Sequence, residues 1–298
     1  SMELRVLHYF LAVAREQSIS AAAQSLHLPQ PTLSTQLKAL EEELGKQLLV
    51  RGTKGSRKVT LTEEGMILRK RAEEILTLVN KAEEEIAHSD DTVVGTVSIG
   101  AGETDIVRYF AKAARTLQKR YPDIRYQISS GNAEYVLEYL DKGLIDFGLV
   151  FGEVDQRKYQ SLPLPAKDTW GVLMRRDSPL AEKEAITPQD LWDKPLLLSH
   201  QRGGSGALFR WLKRDASQLI VVATYNLVYN ASLLVDEGLG YALTLDKLIH
   251  TEGTDMCFRP LSPGMEATAA IVWKKYQVFT KAADTFLRCL KEQLPQES

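Results

Sequence analysis

Apolar residues recur at helical spacing in three short runs within the first sixty residues. The first run begins at Leu4, and the second follows Ser20, a capping residue, through a stretch rich in alanine. Pro31 suits the first turn of a third helix and Gly45 suits its end. The apolar stripe of the third helix consists of Leu33, Leu37, Leu40 and Leu44. The pattern predicts three helices, with a turn of three or four residues between the second and the third.

The other faces of the third helix are polar. Small hydroxyl and amide side chains at the N-terminal end of a helix can reach base edges and phosphates in a major groove, as they do in helix-turn-helix proteins. The candidates for this role are Gln30, Thr32, Ser34 and Thr35. A three-helix bundle with a solvated face is the alternative interpretation.

A basic, glycine-containing segment follows the three helices. Residues 51–58 hold four basic side chains, and the strand-like Val59-Thr60-Leu61 comes next. A basic hairpin beside a recognition helix can follow the phosphate backbone or enter the minor groove. A solvated loop is the alternative, but the adjacent helices favour a wing.

A long helix is predicted next, capped by Thr60 or Thr62, with Glu63 and Glu64 at its positive end. Its apolar positions alternate in steps of four and three, which is typical of a coiled-coil seam. Charged residues crowd the flanks, so we expect the seam to pair with a second copy rather than with its own domain. The seam consists of Leu68, Ala72, Ile75, Val79, Ala82 and Ile86.

Beyond residue 91 strands and helices alternate, which predicts an α/β domain. Residues 132–149 and 226–243 resemble each other as helix, glycine and strand, and this weak repeat predicts two lobes. The cleft between such lobes is the natural ligand site. Loops between strand ends and helix N-termini offer free N–H groups to polar or anionic parts of a ligand.

Composition changes this interpretation little. The 298 residues suggest two domains, and the 44% hydrophobic and 26% charged content is ordinary for a folded protein. Neither a secretion signal nor an apolar stretch of about 18 residues is visible, so we expect a cytoplasmic protein without a membrane partner. Cys257 and Cys289 lack metal-ligand spacing and are expected to be buried thiols. The net charge of −2 leaves nucleic-acid binding to the local basic cluster.

The segment from Leu4 through Gly65 resembles the DNA-binding domain of LysR-type transcriptional regulators. The matching features are Phe10-Leu11-Ala12-Val13-Ala14, Ser20-Ala21-Ala22, Gln30-Pro31-Thr32-Leu33-Ser34, Leu40-Glu41-Glu42-Glu43-Leu44-Gly45, Arg51 and Leu61-Thr62-Glu63-Glu64-Gly65. The resemblance implies that bases and nearby phosphates are faced by Gln30, Pro31, Thr32, Ser34 and Thr35, and that the DNA backbone is held by Lys38, Arg51, Lys54 and Arg57. Thr35 stands where the family often has arginine, and Leu49 replaces a frequent phenylalanine.

The resemblance also implies a C-terminal domain with two subdomains of the periplasmic-binding-protein fold and crossovers near residues 162 and 266. The predicted organisation is a winged helix-turn-helix over 2–62, a dimerisation helix over 63–90 and an effector-binding domain over 91–298. Lobe I takes 91–162 and 267–298, and lobe II takes 163–266. The candidate effector-binding residues are Gly102, Glu103, Thr104, Asn132, Phe151, Ser199, His200, Arg202, Tyr225 and Asn226. Glu103 opposite Arg202 suggests an effector with both an ammonium and a carboxylate group.

Together these features predict a sequence-specific DNA-binding transcription regulator that a small-molecule effector modulates. The expected partners are double-stranded promoter or operator DNA, further copies of the chain in a homodimer or homotetramer, and RNA polymerase. A dinucleotide site is excluded because the third glycine of the fingerprint begun by Gly100 and Gly102 falls on Asp105. A secreted solute-binding protein would need a signal segment and no wing. An enzyme would need a constellation of acids, bases or metal ligands, and we predict no catalytic residue, cofactor or metal.

Overall fold

The computed structural model describes residues 1–52, 58–87, 93–200 and 205–295, and the chain divides into two compact units, 1–87 and 88–298. The N-terminal unit contains α1 (Leu4–Glu16), α2 (Ile19–Leu26), α3 (Gln30–Leu44), β1 (Leu49–Val50), β2 (Thr60–Leu61) and α4 (Glu63–Ala87). The C-terminal unit contains β3 (Gly95–Ala101), α5 (Arg108–Arg120), β4 (Ile124–Ser130), α6 (Ala133–Asp141), β5 (Phe147–Phe151), β6 (Tyr159–Arg175), α7 (Pro188–Leu191), β7 (Pro195–Ser199), α8 (Ser205–Leu212), β8 (Ile220–Tyr225), α9 (Val228–Asp236), β9 (Tyr241–Leu245), β10 (Met256–Pro260), β11 (Glu266–Lys274) and α10 (Lys281–Gln293).

Local signals set the bounds of the first helices. The Ser18 hydroxyl accepts the Ala21 N–H at 3.1 Å and so caps α2, whereas Ser20, the predicted capping residue, lies within the first turn of the helix. His27 ends α2 in the left-handed region, and α3 begins three residues later at Gln30. Gly45 ends α3 with a φ of 68°, a conformation that costs glycine little. The three predicted helices and the short turn between α2 and α3 are confirmed.

The core of the N-terminal unit lies between all four helices and the small sheet. Phe10 and Val13 of α1 are fully buried against Leu33 and Leu37 of α3. β1 and β2 pair antiparallel, with Leu49 opposite Leu61. Thr62, not Thr60, caps α4, since its hydroxyl accepts the Gly65 N–H at 3.0 Å.

The predicted dimer seam on α4 needs a correction in its first half. Leu68 and Ala72 are buried in the core of their own unit together with Leu76, because these positions recur every four residues and face the other helices of that unit. They therefore offer no surface to a second copy. The rest of the predicted seam is more open: Ile75 and Val79 are half-buried, Ala82 is exposed, and Ile86 is 85% exposed.

The C-terminal unit is built on one nine-stranded sheet with the path β4-β3-β5-β11-β6-β9-β7-β8, and β10 pairs with β6. β3 runs parallel to β4 and β5 in lobe I, and β7 runs parallel to β8 and β9 in lobe II. β6 passes from one lobe to the other, because Thr169 is paired with β11 and Trp170 with β9. This change of partner lies further along the chain than the predicted crossover near residue 162.

Each lobe has its own core, and the predicted internal repeat is visible in the fold. Phe110, Phe147 and Phe286 are fully buried in lobe I, where the rings of Phe110 and Phe286 lie 5.9 Å apart. The repeat corresponds to α6 with β5 and to α9 with β9. Gly143 and Gly238 follow the two helices with φ values of 73° and 85°. Within the described ranges, no helix has the length and apolarity to span a membrane.

Candidate functional site

The N-terminal end of α3 presents a polar surface to solvent. Gln30 is the first residue of the helix and Pro31 the second. The exposed side chains are Gln30, Pro31, Thr32, Thr35 and Lys38, and Ser34 is half-buried. Leu33 and Leu37 anchor the opposite side of the helix in the core. Five of the residues predicted to contact DNA therefore lie exposed on one helix.

The wing strands are fixed to the rest of the unit by backbone hydrogen bonds. The Val59 N–H donates to the Gln17 carbonyl at 2.9 Å, and the Thr62 N–H donates to the Leu48 carbonyl at 3.0 Å. Lys58, two residues before β2, is exposed. Lys54 and Arg57, which were predicted to hold the DNA backbone, lie outside the described residues.

Arg51, predicted as a DNA contact, has an ion-pair partner within its own unit. Its guanidinium lies 3.0 Å from the Glu41 carboxylate, which also accepts the Leu48 N–H at 2.8 Å and the Leu49 N–H at 3.4 Å. Burial alone would raise the pKa of Glu41, but the Leu48 N–H and the Arg51 guanidinium outweigh burial and hold this pKa below its ordinary value. Glu41 is a structural residue that the sequence showed only as one of three consecutive glutamates.

The predicted effector residues gather at the carboxyl ends of parallel strands. Gly102, Glu103 and Thr104 follow β3, and Asn132 follows the neighbouring β4. In lobe II, Ser199 ends β7 and is paired with Tyr225 at the end of the neighbouring β8. His200 and Asn226, which come next in the chain, are exposed. Phe151 is half-buried against the core of lobe I, and Arg202 lies outside the described residues.

The loop after β3 bonds to lobe II and to the strand that joins the lobes. Glu103 Oε1 accepts the Val228 N–H at the start of α9, at 2.9 Å. The Thr104 hydroxyl donates to Asp168 Oδ2 at 2.5 Å and accepts the Ile106 N–H at 3.0 Å. Thr104 and Asp168 are both buried. Sequence reasoning missed Asp168, because no local pattern marks a polar residue whose partner is 64 positions away.

Two predicted effector residues have structural contacts that the sequence did not indicate. Asn132 Oδ1 accepts the Tyr135 N–H at 2.8 Å and so caps α6. The buried Tyr225 donates its hydroxyl to the Leu243 carbonyl at 2.8 Å, inside lobe II. Among the predicted effector residues that the structure describes, the exposed polar side chains are His200 and Asn226.

In the part of the chain that the structure describes, no group of three His, Cys, Asp or Glu side chains is placed so that it could hold a metal ion. Cys257 and Cys289 are free and buried, in different elements.

Two family models match the chain. Residues 4–66 match the bacterial regulatory helix-turn-helix protein of the lysR family, and residues 90–295 match the LysR substrate binding domain. Among curated relatives, the transcriptional regulator CfxR of Cupriavidus necator is 31% identical over 86% of this chain and 78% of its own. The uncharacterized regulator YfeR of Shigella flexneri is 27% identical over 97% of this chain and 94% of its own.

The solved structure of CbnR, a LysR family transcriptional regulator, has the same fold. Its TM-score is 0.74 at 19% identity, over 99% of this chain and all of the CbnR chain. CbnR complexed with its target DNA gives a TM-score of 0.74 at 21% identity, over 98% of this chain and 99% of the CbnR chain.

The family models cover both the unit that contains α3 and the two-lobed unit, and the family and these relatives are transcriptional regulators rather than enzymes. The chain therefore belongs to the LysR family, as a DNA-binding transcription regulator with a substrate-binding effector domain.

Proposed function

We propose that α3 enters the major groove and that Gln30, Thr32 and Thr35 contact base edges. The observation that carries this proposal is the exposed polar face at the start of α3, opposite a buried apolar stripe in the same compact unit. Hydroxyl and amide groups can both donate to and accept from base edges. CbnR, which shares this fold, was solved in complex with its target DNA, and this supports DNA binding by the chain. Pro31 and Ser34 flank these contacts.

Phosphate contacts come from the basic side chains around the helix and the wing. Lys38 is exposed on α3 and carries a charge that can neutralise a phosphate. Arg51 reaches the backbone with the nitrogens that its pair with Glu41 leaves outward, and it stays one-third exposed. Lys54 and Arg57 extend this basic surface along the wing by sequence position.

The regulator acts as a homodimer, and by family resemblance as a homotetramer, in the cytoplasm, with RNA polymerase as a further partner. The dimer contact that we propose is the second half of α4, where Val79, Ala82 and Ile86 continue the apolar spacing and become progressively more exposed. Pairing two copies there gives two recognition helices for a two-fold DNA site.

The effector binds between the lobes of the C-terminal domain, beside Gly102, Glu103 and Thr104 on one side and Ser199, His200 and Asn226 on the other. The convergence of strand ends and helix starts in both lobes supports this position. The proposed set of effector-binding residues is completed by Asn132, Phe151, Tyr225 and Arg202. The effector with an ammonium and a carboxylate group stays a prediction, because Arg202 lies outside the described residues.

The test is DNA binding by the full chain at several salt concentrations, using the promoter region beside its own gene. We expect selective binding that weakens steeply with salt. Lys38→Ala should weaken binding to every sequence and lower the slope of log affinity against log salt by about 1. Thr32→Ala should instead relax selectivity at one base pair, at a cost of about 1–3 kcal/mol.

The matched control is Lys112→Ala, which removes an exposed lysine from α5 of the C-terminal unit and should leave DNA binding unchanged. Equal losses in Lys38→Ala and Lys112→Ala would contradict the proposed interface. Unchanged selectivity in Thr32→Ala would remove Thr32 from the set of base contacts.

A further inference from the structure

Glu103 of lobe I caps a helix of lobe II. Its Oε1 accepts the Val228 N–H at 2.9 Å, although the two residues are 125 positions apart. Val228 is the first residue of α9, and the residue before it, Leu227, makes no capping hydrogen bond with its side chain. The first turn of α9 thus takes an acceptor from outside its own chain segment.

The chemistry of a helix N-terminus explains why a carboxylate lies there. The first N–H groups of a helix lack partners within the helix, and the partial positive charge at that end attracts anions. Most helices use a local Ser, Thr, Asp or Asn for this purpose, as α6 uses Asn132 and α10 uses Thr280. Leucine has no acceptor, so the stabilisation of α9 depends on whether lobe I is close enough to present Glu103.

Thr104, the next residue, fixes the same loop to the connection between the lobes. Its hydroxyl donates to Asp168 Oδ2, and Asp168 is buried on β6 directly before the Thr169–Trp170 step at which that strand changes lobe. The loop after β3 is therefore bonded to β6, the strand that joins the lobes, through Thr104. The same loop is bonded to the opposite lobe through Glu103. A rotation of either lobe about the Thr169–Trp170 step changes the distance from Glu103 to α9.

We propose that Glu103 is an interlobe latch: its carboxylate caps α9 and holds the two lobes of the effector domain closed, and Asp168 positions it through Thr104. The inference rests on the proposed function only in taking the cleft between the lobes as the effector site. An effector bound beside Glu103 then acts on the closure of the lobes through this one carboxylate.

The first test is amide hydrogen exchange of the full chain with neither DNA nor any small molecule added. In Glu103→Ala we expect exchange at the start of α9 to rise about tenfold, as for loss of one charge-assisted hydrogen bond. Glu103→Gln keeps a neutral acceptor and should give a smaller rise. The matched control Glu134→Ala removes an exposed carboxylate from the first turn of α6, which Asn132 caps, and should leave α9 unchanged.

Exchange in β5 serves as a reference for general unfolding. If Glu103→Ala also raises hydrogen exchange in β5, the Glu103→Gln variant is used instead. A rise in its exchange that is confined to α9 supports the latch, and no rise overturns the latch. Unchanged α9 exchange in a folded Glu103→Ala variant overturns it also.

The second test separates a latch from a merely local cap. Spin labels on Lys119→Cys in lobe I and Glu252→Cys in lobe II report the distance between the lobes, and the native Cys257 and Cys289 are buried from the reagent. Dilution with unlabelled chains removes distances between subunits. We expect a narrow distance distribution that broadens or lengthens with Glu103→Ala. An identical distribution overturns the latch without affecting the DNA-binding proposal, which the salt titration tests separately.

Discussion

The Arg51 guanidinium and the Glu41 carboxylate, 3.0 Å apart, join α3 to the segment that follows β1. Glu41 lies near the C-terminal end of α3, and the same carboxylate accepts the N–H groups of Leu48 and Leu49 at the start of β1. One side chain therefore sets the position of β1 relative to the helix whose other end is proposed to read bases. We therefore expect Glu41 to affect DNA recognition only through the position of β1, because its carboxylate is bonded within its own unit.

Glu41→Ala should destabilise the N-terminal unit. The change leaves two N–H groups and the Arg51 guanidinium without this acceptor, and the loss of buried charge-assisted hydrogen bonds costs about 2–4 kcal/mol. The effect is measured by urea unfolding of the full chain, with hydrogen exchange in α1 to α3 as the probe of the N-terminal unit. Glu42→Ala is the matched control, since Glu42 is exposed and its removal should change stability by less than about 0.5 kcal/mol. Equal effects of the two variants would contradict the positioning role.

The contribution of Glu41 should disappear in acid. Its pKa is lower in the folded chain than the ordinary value of 4.5, so the folded state holds the proton less tightly than the unfolded state does. The stabilisation is complete above that ordinary value and is lost as the pH falls through the lower, folded value. We expect the difference in unfolding free energy between wild type and Glu41→Gln to narrow below about pH 4.5. A difference that widens in acid would reverse the assigned direction of the pKa shift.

The sequence predicted the helices of the N-terminal unit because their signals are local. Periodic apolar positions and the Gly45 cap each act within a few residues, although the cap of α2 is Ser18 and not the predicted Ser20. Of the three consecutive glutamates, Glu41 is buried because β1 lies against it. No local sequence pattern encodes that contact. Asp168 depends in the same way on the loop after β3, far away in the chain.

The seam on α4 shows a different limit. A spacing of four and three residues fits both a coiled coil and an amphipathic helix packed on its own domain, because the two periods differ by little over a few turns. Only the fold shows that Leu68 and Ala72 face inward. The interlobe contact of Glu103 was equally outside the reach of sequence patterns, although Glu103 itself was a predicted effector residue.

Ile86→Asp should weaken the homodimer. Ile86 is 85% exposed in the single chain, and a charge there would have to be desolvated in an apolar contact between two copies. We expect the dimer dissociation constant from sedimentation equilibrium to rise at least tenfold, which corresponds to about 1.4 kcal/mol. Asn80→Asp adds the same charge at an exposed position outside the predicted seam and should have a smaller effect. An unchanged dissociation constant in Ile86→Asp would place the dimer contact elsewhere.

Gly65→Ala should destabilise the junction between the wing and α4, although alanine is the better helix former by about 1 kcal/mol. A Cβ at Gly65 would lie 2.2 Å from the Leu48 carbonyl oxygen, which already accepts the Thr62 N–H. A backbone carbonyl cannot rotate away as a flexible side chain can, so β1 or the first turn of α4 must shift, at a net cost of about 1–3 kcal/mol. The control is Gly206→Ala in α8, whose Cβ would meet, among the described residues, the end of the flexible Arg210 side chain at 3.2 Å. Thermal unfolding of both variants is the measurement. We expect a lower Tm for Gly65→Ala and an unchanged or higher Tm for Gly206→Ala. An unchanged Tm for Gly65→Ala would show that the junction accommodates the added Cβ without a loss of stability.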